Sequence, residues 1–445
     1  MKNRKKIFVV STVALTVFVL LNCTKSNQIL GTSPSTADTS STLRAVYAST
    51  APTIDGTIDA AWNSATPLHV TAVVPDPGNN LWPGWVGTSH NVTMQAMYDS
   101  SNVYFLVQWE DATNTINLTP WYYTPSSNAF TTSNLVWAHE ANSITWNSNG
   151  IQVKPAYGED KFGMAFNIDN STTGFATQTC YAACHTTVTV DTASTLKTGG
   201  NMSTTAQNAK LDLWEMRVMS DQAAEFASEG QSGGYAKDCF IDWANGQPNT
   251  LDNNGRHNDF DASGTNTAAW PANNSQSLAR KFDLSASPIK VTVPKYVPNP
   301  NGSAPAQRKY IWFADTTGAA AGTGKYVLVT AVDTSGNLYY NNGGVQTVIP
   351  ASSYPVESNL SVTYANQIPY EILFPPTGSL ADIHCVAVYT GSGYVAEFKR
   401  ARKTGDTVNQ DVDFSNRQDQ PFGIAVFDNG GNNHAIVTNL LLHFQ

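Results

Sequence analysis

Charge is what this sequence has least of. Asp, Glu, Lys and Arg make up 13% of the 445 residues, against roughly a quarter in an average soluble protein. That scarcity argues against a disordered polyampholyte or a coiled coil. The charge that is present is acidic, −9 in total; without the four positive charges Lys2, Arg4, Lys5 and Lys6, −9 becomes −13. This sign disfavours nucleic acid as a partner. Cysteine is also scarce: five residues are too few for a disulfide-built scaffold of this length. Helical periodicity is nearly absent, with residues 221–228 the best and a short example. No nucleophile–base constellation, pair of acid/base carboxylates or phosphate-binding loop stands out, so hydrolase and transferase chemistry has no footing. Apolar residues do reach 41%, enough to bury a sizeable core.

The one long apolar run lies at the N-terminus. Ile7 to Leu21, about 15 residues behind a basic start, is short for a span of ~30 Å of hydrocarbon and reads as an export signal. It ends in Leu20-Leu21-Asn22-Cys23, which resembles a bacterial lipobox with Asn22 at a position where a small residue is usual. Residues 1–23 are therefore expected to be a signal peptide, with Cys23 the lipid-bearing first residue of the mature chain. An ordinary secretory signal with an incidental cysteine is the alternative. Thr24 follows rather than Asp, so the sorting rule for lipoproteins gives no retention at the inner membrane. Residues 24–47, rich in Ser and Thr, read as a flexible tether. The expected location is the periplasm or outer membrane of a Gram-negative-type bacterium, attached through the lipid.

Past the tether the pattern is β. Val92, Met94, Ala96 and Tyr98 alternate with Thr93, Gln95 and Met97, and Val103 to Trp109 follows after the turn 99–102. Similar runs recur at 325–332, 382–389, 394–400, 423–427 and 434–444. The spacers 111–150, 245–285 and 294–308 are too long for simple connections. The expected architecture is all-β: one antiparallel β-sandwich over 48–445 with long loop insertions and few short helices.

Cys180-Tyr181-Ala182-Ala183-Cys184-His185 is the sharpest motif. Two thiols close in sequence, followed directly by histidine, suit covalent haem attachment: each sulfur adds to one vinyl group, and the imidazole ligates iron from below. Three residues separate the cysteines where two are usual. A local disulfide and a zinc site are the other uses of such a pair, although no second Cys/His pair has matching spacing. A second axial ligand would come from His69, His90, His139, His257, His384, His434 or His443, or from Met164, Met216 or Met219. His434 stands out because it follows a polar turn, residues 428–433, and opens a strand.

Several short stretches in order resemble the haem-binding subunit family of ethylbenzene dehydrogenase and dimethyl-sulfide dehydrogenase, a β-sandwich related to carbohydrate-binding and DOMON domains. They are Asp55-Gly56 with Asp59 and Trp62; Tyr104 through Trp109 to Asp111; Asp160 to Asn167; Asp212-Leu213-Trp214; Glu397 to Arg400; and Ala425 to Asp428. Members with b-type haem hold iron through a methionine and a lysine. The resemblance implies that His185 replaces the methionine and that His434, after the Ala425–Asp428 strand, replaces the lysine. It further implies one covalent haem c, electron transfer rather than catalysis by the chain itself, and unidentified redox partner proteins, with a larger oxidoreductase as the possible assembly. A haemless carbohydrate-binding or surface interaction module of the same fold, and a haem enzyme or sensor with an open iron position, are the rival readings.

The remaining features are blander. Asp252-Asn253-Asn254-Gly255 with Asp259 and Asp261 lacks EF-hand spacing and reads first as a surface turn rather than a calcium loop. Trp82, Trp85, Trp121, Tyr122 and Tyr123 read first as structural aromatics and second as a sugar platform. Cys239 and Cys385 either pair or remain buried thiols.

Overall fold

The computed structural model describes residues 41–76, 84–116, 120–123, 137–139, 145–146, 152–153, 159–179, 187–190, 196–199, 204, 206, 208–221, 234–242, 256–259, 272–273, 278–279, 281, 286–287, 290–302, 310–354, 368–429 and 434–445. Cys23 and the whole Cys180–His185 motif lie outside them.

Thirteen strands form the main sheet. In chain order they are β1 (Thr42–Tyr47), β2 (Leu68–Val73), β3 (Ser89–Tyr98), β4 (Asn102–Glu110), β5 (Lys161–Asn167), β6 (Leu211–Arg217), β7 (Gly234–Tyr235), β8 (Lys237–Ile241), β9 (Arg256–Asn258), β10 (His384–Tyr389), β11 (Gly393–Ala401), β12 (Gln420–Phe427) and β13 (Ala435–Phe444). Their order across the sheet is β7-β10-β11-β4-β3-β1-β13-β12-β5-β6-β8-β9, and β2 pairs both β3 and β13. All pairings are antiparallel except those of β1, which runs parallel to both neighbours.

The path folds over on itself. Phe105 on β4 and Trp214 on β6 lie far apart along the sheet, yet their rings meet at 5.7 Å, edge to face. Trp109 on β4 stacks on Phe162 of β5 at 5.3 Å. These contacts require two facing layers, one ending at β3 and the other starting at β13, with a single core between them. β1 makes the corner: Thr42–Ala45 pair with β13 and Ala45–Tyr47 with β3. Residues 42–47 of the stretch expected to be a tether form this strand. Leu43 and Ala45 alternate with Arg44 and Val46, and both are fully buried, which draws this segment into the sheet. The expected sandwich is observed, and its major strands fall within a few residues of the sequence expectation.

The outer face of the first layer is covered by residues 48–65. Gly56 turns at φ +79°, where an added Cβ would lie 2.5 Å from Val388. Asp59 accepts from the N–H groups of Thr53 and Ala61, and Trp62 packs beneath with Ala65, Leu106 and Val395. Glu397 pins the segment, accepting from Trp62 Nε1 at 2.8 Å, Gly56 N at 2.8 Å and Asp55 N at 3.1 Å. The Asp-Gly…Trp motif is thus a structural clasp. The long insertion carries a second core. Strands Tyr296–Pro298, Tyr326–Val332, Leu338–Asn342 and Val345–Ile349 form a four-stranded sheet over Val293, Val329, Leu338 and Tyr340, joined by Trp121 and Trp137. No helix among the described residues is long and apolar enough to cross a membrane.

Candidate functional site

The second layer has two very different faces. Phe162, Met164, Phe166, Trp214, Met216, Phe422, Ile424 and Val426 point into the sandwich core. Strand alternation then sends Gly163 and Ala165 of β5, Leu213 of β6, and Gly423 and Ala425 of β12 to the outside. Gly423 pairs with Ala165 and Ala425 with Gly163, so four small residues form one contiguous strip. A solvent-facing strip would be polar, but here all four are buried.

One end of the strip receives the chain that leads to the cysteine motif. A single helical turn, Phe175–Gln178, packs against β12 and β13, and Phe175 closes a small cluster with Ala165, Leu211 and Ile241. Thr179 then sits on Gly423; a Cβ on that glycine would fall 2.5 Å from the Thr179 Cβ. Thr179 adopts φ +46° and ψ −124°, a strained conformation for a β-branched residue. Its hydroxyl is buried without a hydrogen-bond partner. The β12–β13 ladder carries a bulge opposite Gly423, with Asn439 at φ +63°. Bulges and strand glycines mark places where another group approaches the backbone closely.

The other end carries His434. Its ring packs on Phe427 at 4.4 Å between centroids, and Phe427 is the next outward residue of β12 after Ala425. Gly423 and Phe427 are four residues apart, about 13 Å along a strand. The turn before His434 is tied to the end of the sandwich. Asn429 at φ +53° donates its N–H to Asp160 at 2.9 Å, and Asp160 also accepts from Thr115 N at 2.7 Å and the Tyr394 hydroxyl at 2.8 Å. Asp160, Asp111 and Asp428 bring their oxygens within 4.8 Å of one another. Burial, then the Asp111 charge, push Asp160 up to about 8; burial, then Asp428, push Asp111 up to about 6.

Charged residues flank this end of the face. Burial works against ionisation of Glu215, but Lys161, Arg256, Lys237 and Arg217 outweigh it and hold the carboxylate well below its ordinary range. Arg217 bonds Glu159 at 2.6 Å and Glu371 at 3.0 Å.

Other ligand candidates are engaged elsewhere. Met164 and Met216 are fully buried on the opposite, core-facing side of the layer. His69 bonds Thr93, His90 the Glu110 carbonyl, His257 Asp242 and His443 Asp419; His384 packs edge-on against Tyr235. The side chains of His139 and Met219 lie outside the described residues. Cys239 faces outward on β8, whereas Cys385 lies in the core, and both are free thiols. Trp121 is buried in the second core and donates to the Asn273 carbonyl, as a structural aromatic does. Trp85 packs against the main core, and Trp82 lies outside the described residues. Asp259 is 1% exposed, not the surface-turn residue its sequence suggests; Asp252 and Asp261 lie outside the described residues. Sequence reading missed Thr179 and Gly423, for which the only advance signal was a glycine inside an apolar strand.

A family model described as ethylbenzene dehydrogenase matches residues 59–437. The chain belongs to the ethylbenzene dehydrogenase family. Membership links this family chain to a dehydrogenase system. No curated protein matches the sequence. Solved structures that resemble it include two of a carbohydrate binding module family 9 from Caldicellulosiruptor kristjanssonii, one in complex with cellotriose and one with glucose. They share 8% and 7% identity, cover 91% of this chain and 93% and 95% of theirs, and give a TM-score of 0.24 each. Within the ethylbenzene dehydrogenase family chain, the matched span contains the small-residue strip, Thr179 and His434.

Proposed function

We propose that this chain is a monohaem c-type electron-transfer protein of the cell envelope, an accessory component of an oxidoreductase rather than an enzyme itself. The observation that carries this reading is the strip on the outer face of β5 and β12. The described chain reaches it at Thr179, one residue short of Cys180, and His434 stands at its far end. Thr179, the last described residue before the motif, and His434, more than two hundred residues apart in sequence, flank one apolar surface.

The residues present suit the group. Gly163, Ala165, Gly423 and Ala425 keep side-chain bulk off the outer face, and the donor set would be two imidazoles, suited to iron. Cys180 and Cys184 would form the thioether links, and His185 and His434 would hold the iron. Bound haem supplies a one-electron iron couple. The described residues contribute a buried apolar strip and, at Asn429, a backbone anchor to Asp160 five residues before His434; with His185 and His434 both on the iron, no position would remain for a small molecule. Cys23 would carry the lipid that keeps the protein at the envelope, within reach of redox partner proteins.

The test is a spectroelectrochemical titration of the protein matured with c-type haem machinery. One reversible one-electron transition, with no carbon monoxide adduct in the reduced form, is expected. Carbon monoxide binding without displacement of a ligand would instead support an open iron site. Absence of any haem would leave an interaction module of the same fold.

A further inference from the structure

The core-facing side of the same layer, behind the strip, holds an arrangement that electron transfer does not use. Asp212 on β6, Asp238 on β8, Asp259 just after β9 and Asp411 in the segment after β11 converge beside Arg400. They are 0%, 0%, 1% and 5% exposed. Oxygens of Asp212, Asp238 and Asp411 lie within 4.8 Å of one another. Asp259 borders the group: its N–H donates to the Asp238 carbonyl, its carboxyl lies within hydrogen-bonding reach of Asp411, and its charge is the strongest repulsion that Asp238 feels.

The hydrogen bonds account for few of these oxygens. Asp212 Oδ2 takes Arg400 Nη1 at 2.6 Å and Val412 N at 3.0 Å, and Asp411 Oδ2 takes the Thr404 hydroxyl at 2.6 Å. Asp212 Oδ1, both oxygens of Asp238, both of Asp259 and Asp411 Oδ1 are buried with no hydrogen-bond partner. Arg400 cannot serve them all. Its guanidinium is packed over Trp214 at 4.9 Å and Phe414 at 5.1 Å, it is committed to Asp212 and the Val412 carbonyl, and it comes no nearer Asp411 than 3.7 Å. Were all four carboxylates ionised against one guanidinium, an excess of three negative charges would stand in the buried interior. Buried oxygens left in this state cost several kcal/mol unless a proton or a cation joins them.

We infer that Asp212, Asp238, Asp259 and Asp411 form a structural calcium site inside the sandwich. The donors are oxygens only, the preference of hard cations, and none of the four carboxylates shares a strand with another. Calcium accepts six to eight oxygens in flexible geometry; magnesium demands a near-ideal octahedron and keeps several waters, which a closed, fully buried set does not provide. A divalent ion would cancel two of the three excess charges. It would also tie β6, β8 and β9 of the second layer to the β11–β12 connection, behind the outer surface that Thr179 and Phe175 cover. Burial and mutual repulsion, which raise Asp238 and Asp259 well above the ordinary carboxylate range, describe the same site without its cation.

The experiment uses the full chain as purified, stripped with EGTA and titrated with calcium chloride by calorimetry, elemental analysis and thermal melting. One calcium per chain is expected, with a melting temperature raised by about 3 °C once free calcium is ~100 times the dissociation constant. Asp238→Asn should weaken calcium binding at least about tenfold and abolish the calcium-dependent rise. In EGTA it should melt no lower than the wild type, because it removes a repelled charge. Asp259→Asn serves as the second variant should Asp238→Asn fail to fold. Asp111→Asn, in the other acidic trio, should leave calcium binding intact. Wild-type protein that binds no calcium would overturn the inference. So would calcium binding that survives Asp238→Asn and Asp259→Asn but is lost in Asp111→Asn.

Discussion

The two faces of the second layer are made by the same strands and ask opposite things of their side chains. Inside, β5, β6 and β12 present Phe162, Met164, Phe166, Trp214, Met216 and Phe422, large groups that interlock with the first layer. Outside, the intervening positions shrink to Gly163, Ala165, Gly423 and Ala425, buried yet small. An ordinary sandwich alternates apolar inside with polar outside. Here the alternation at these positions is between large and small, which lets Thr179 and Phe175 pack close to the outer backbone. Thr179 and Phe175 pack on one end of this face and the Phe427–His434 ring pair lies at the other, and the proposed haem would lie against it.

The sharpest way to separate the faces is to damage each in turn. Phe166→Ala, on the inside, removes a ring that packs on Phe105, Trp214, Phe414 and Phe422. It should cost about 3–5 kcal/mol in denaturant unfolding, while the haem spectrum of the folded fraction stays unchanged. Gly423→Val, on the outside, drives a side chain into Thr179 and should cost about 1–3 kcal/mol. Unlike the inner variant, it should also reduce covalent haem per folded chain. If both variants lose haem in proportion to stability alone, the distinction between the faces collapses.

His434→Ala should change stability by less, within ~0.5–1 kcal/mol for a half-buried side chain outside the main core. Its signature is spectral: a low-spin iron becomes high-spin and gains carbon monoxide binding. An unchanged spectrum would remove His434 from the ligand set and move the second ligand elsewhere. The smallest effect concerns the anchor of the His434 turn. Asp111 and Asp160 hold protons more tightly in the folded chain than in the unfolded one, with Asp111 raised to about 6 and Asp160 to about 8. Between the ordinary carboxylate range and those values the folded state binds more protons, so stability falls as pH rises from about 4 to 8. Asp111→Asn should flatten that fall in thermal melts across the same range, because it removes one titrating group and its repulsion of Asp160.

The strands of the sandwich were legible where alternation ran for six or more residues. Residues 92–98, 103–109, 394–400 and 435–444 all lie in strands of the structure, and His434 immediately precedes the last of them. β7 and β9, two and three residues long, carry no period to read. β1 was hidden in a Ser/Thr-rich stretch, and only its place between β3 and β13 explains why it is ordered as a strand. Of the candidate site, His434 was legible because a polar turn precedes it. The small strip was not: Gly163 and Gly423 are 260 residues apart in sequence, and only the β5–β12 register makes them neighbours. The buried carboxylates were illegible for the same reason. Asp212, Asp238, Asp259 and Asp411 look like scattered surface acids until the sheet turns them inward, and Asp259 was read as part of a surface turn on that basis.

The central claim is that the outer face exists for a covalently held haem, and peptide mass spectrometry tests it most directly. Protein matured with c-type haem machinery, denatured, reduced and digested, should yield the peptide spanning Cys180 to His185 carrying one haem through both cysteines. Cys180→Ser with Cys184→Ser should abolish that species. Recovery of the same peptide as an unmodified dithiol, or as a disulfide before reduction, would contradict the account.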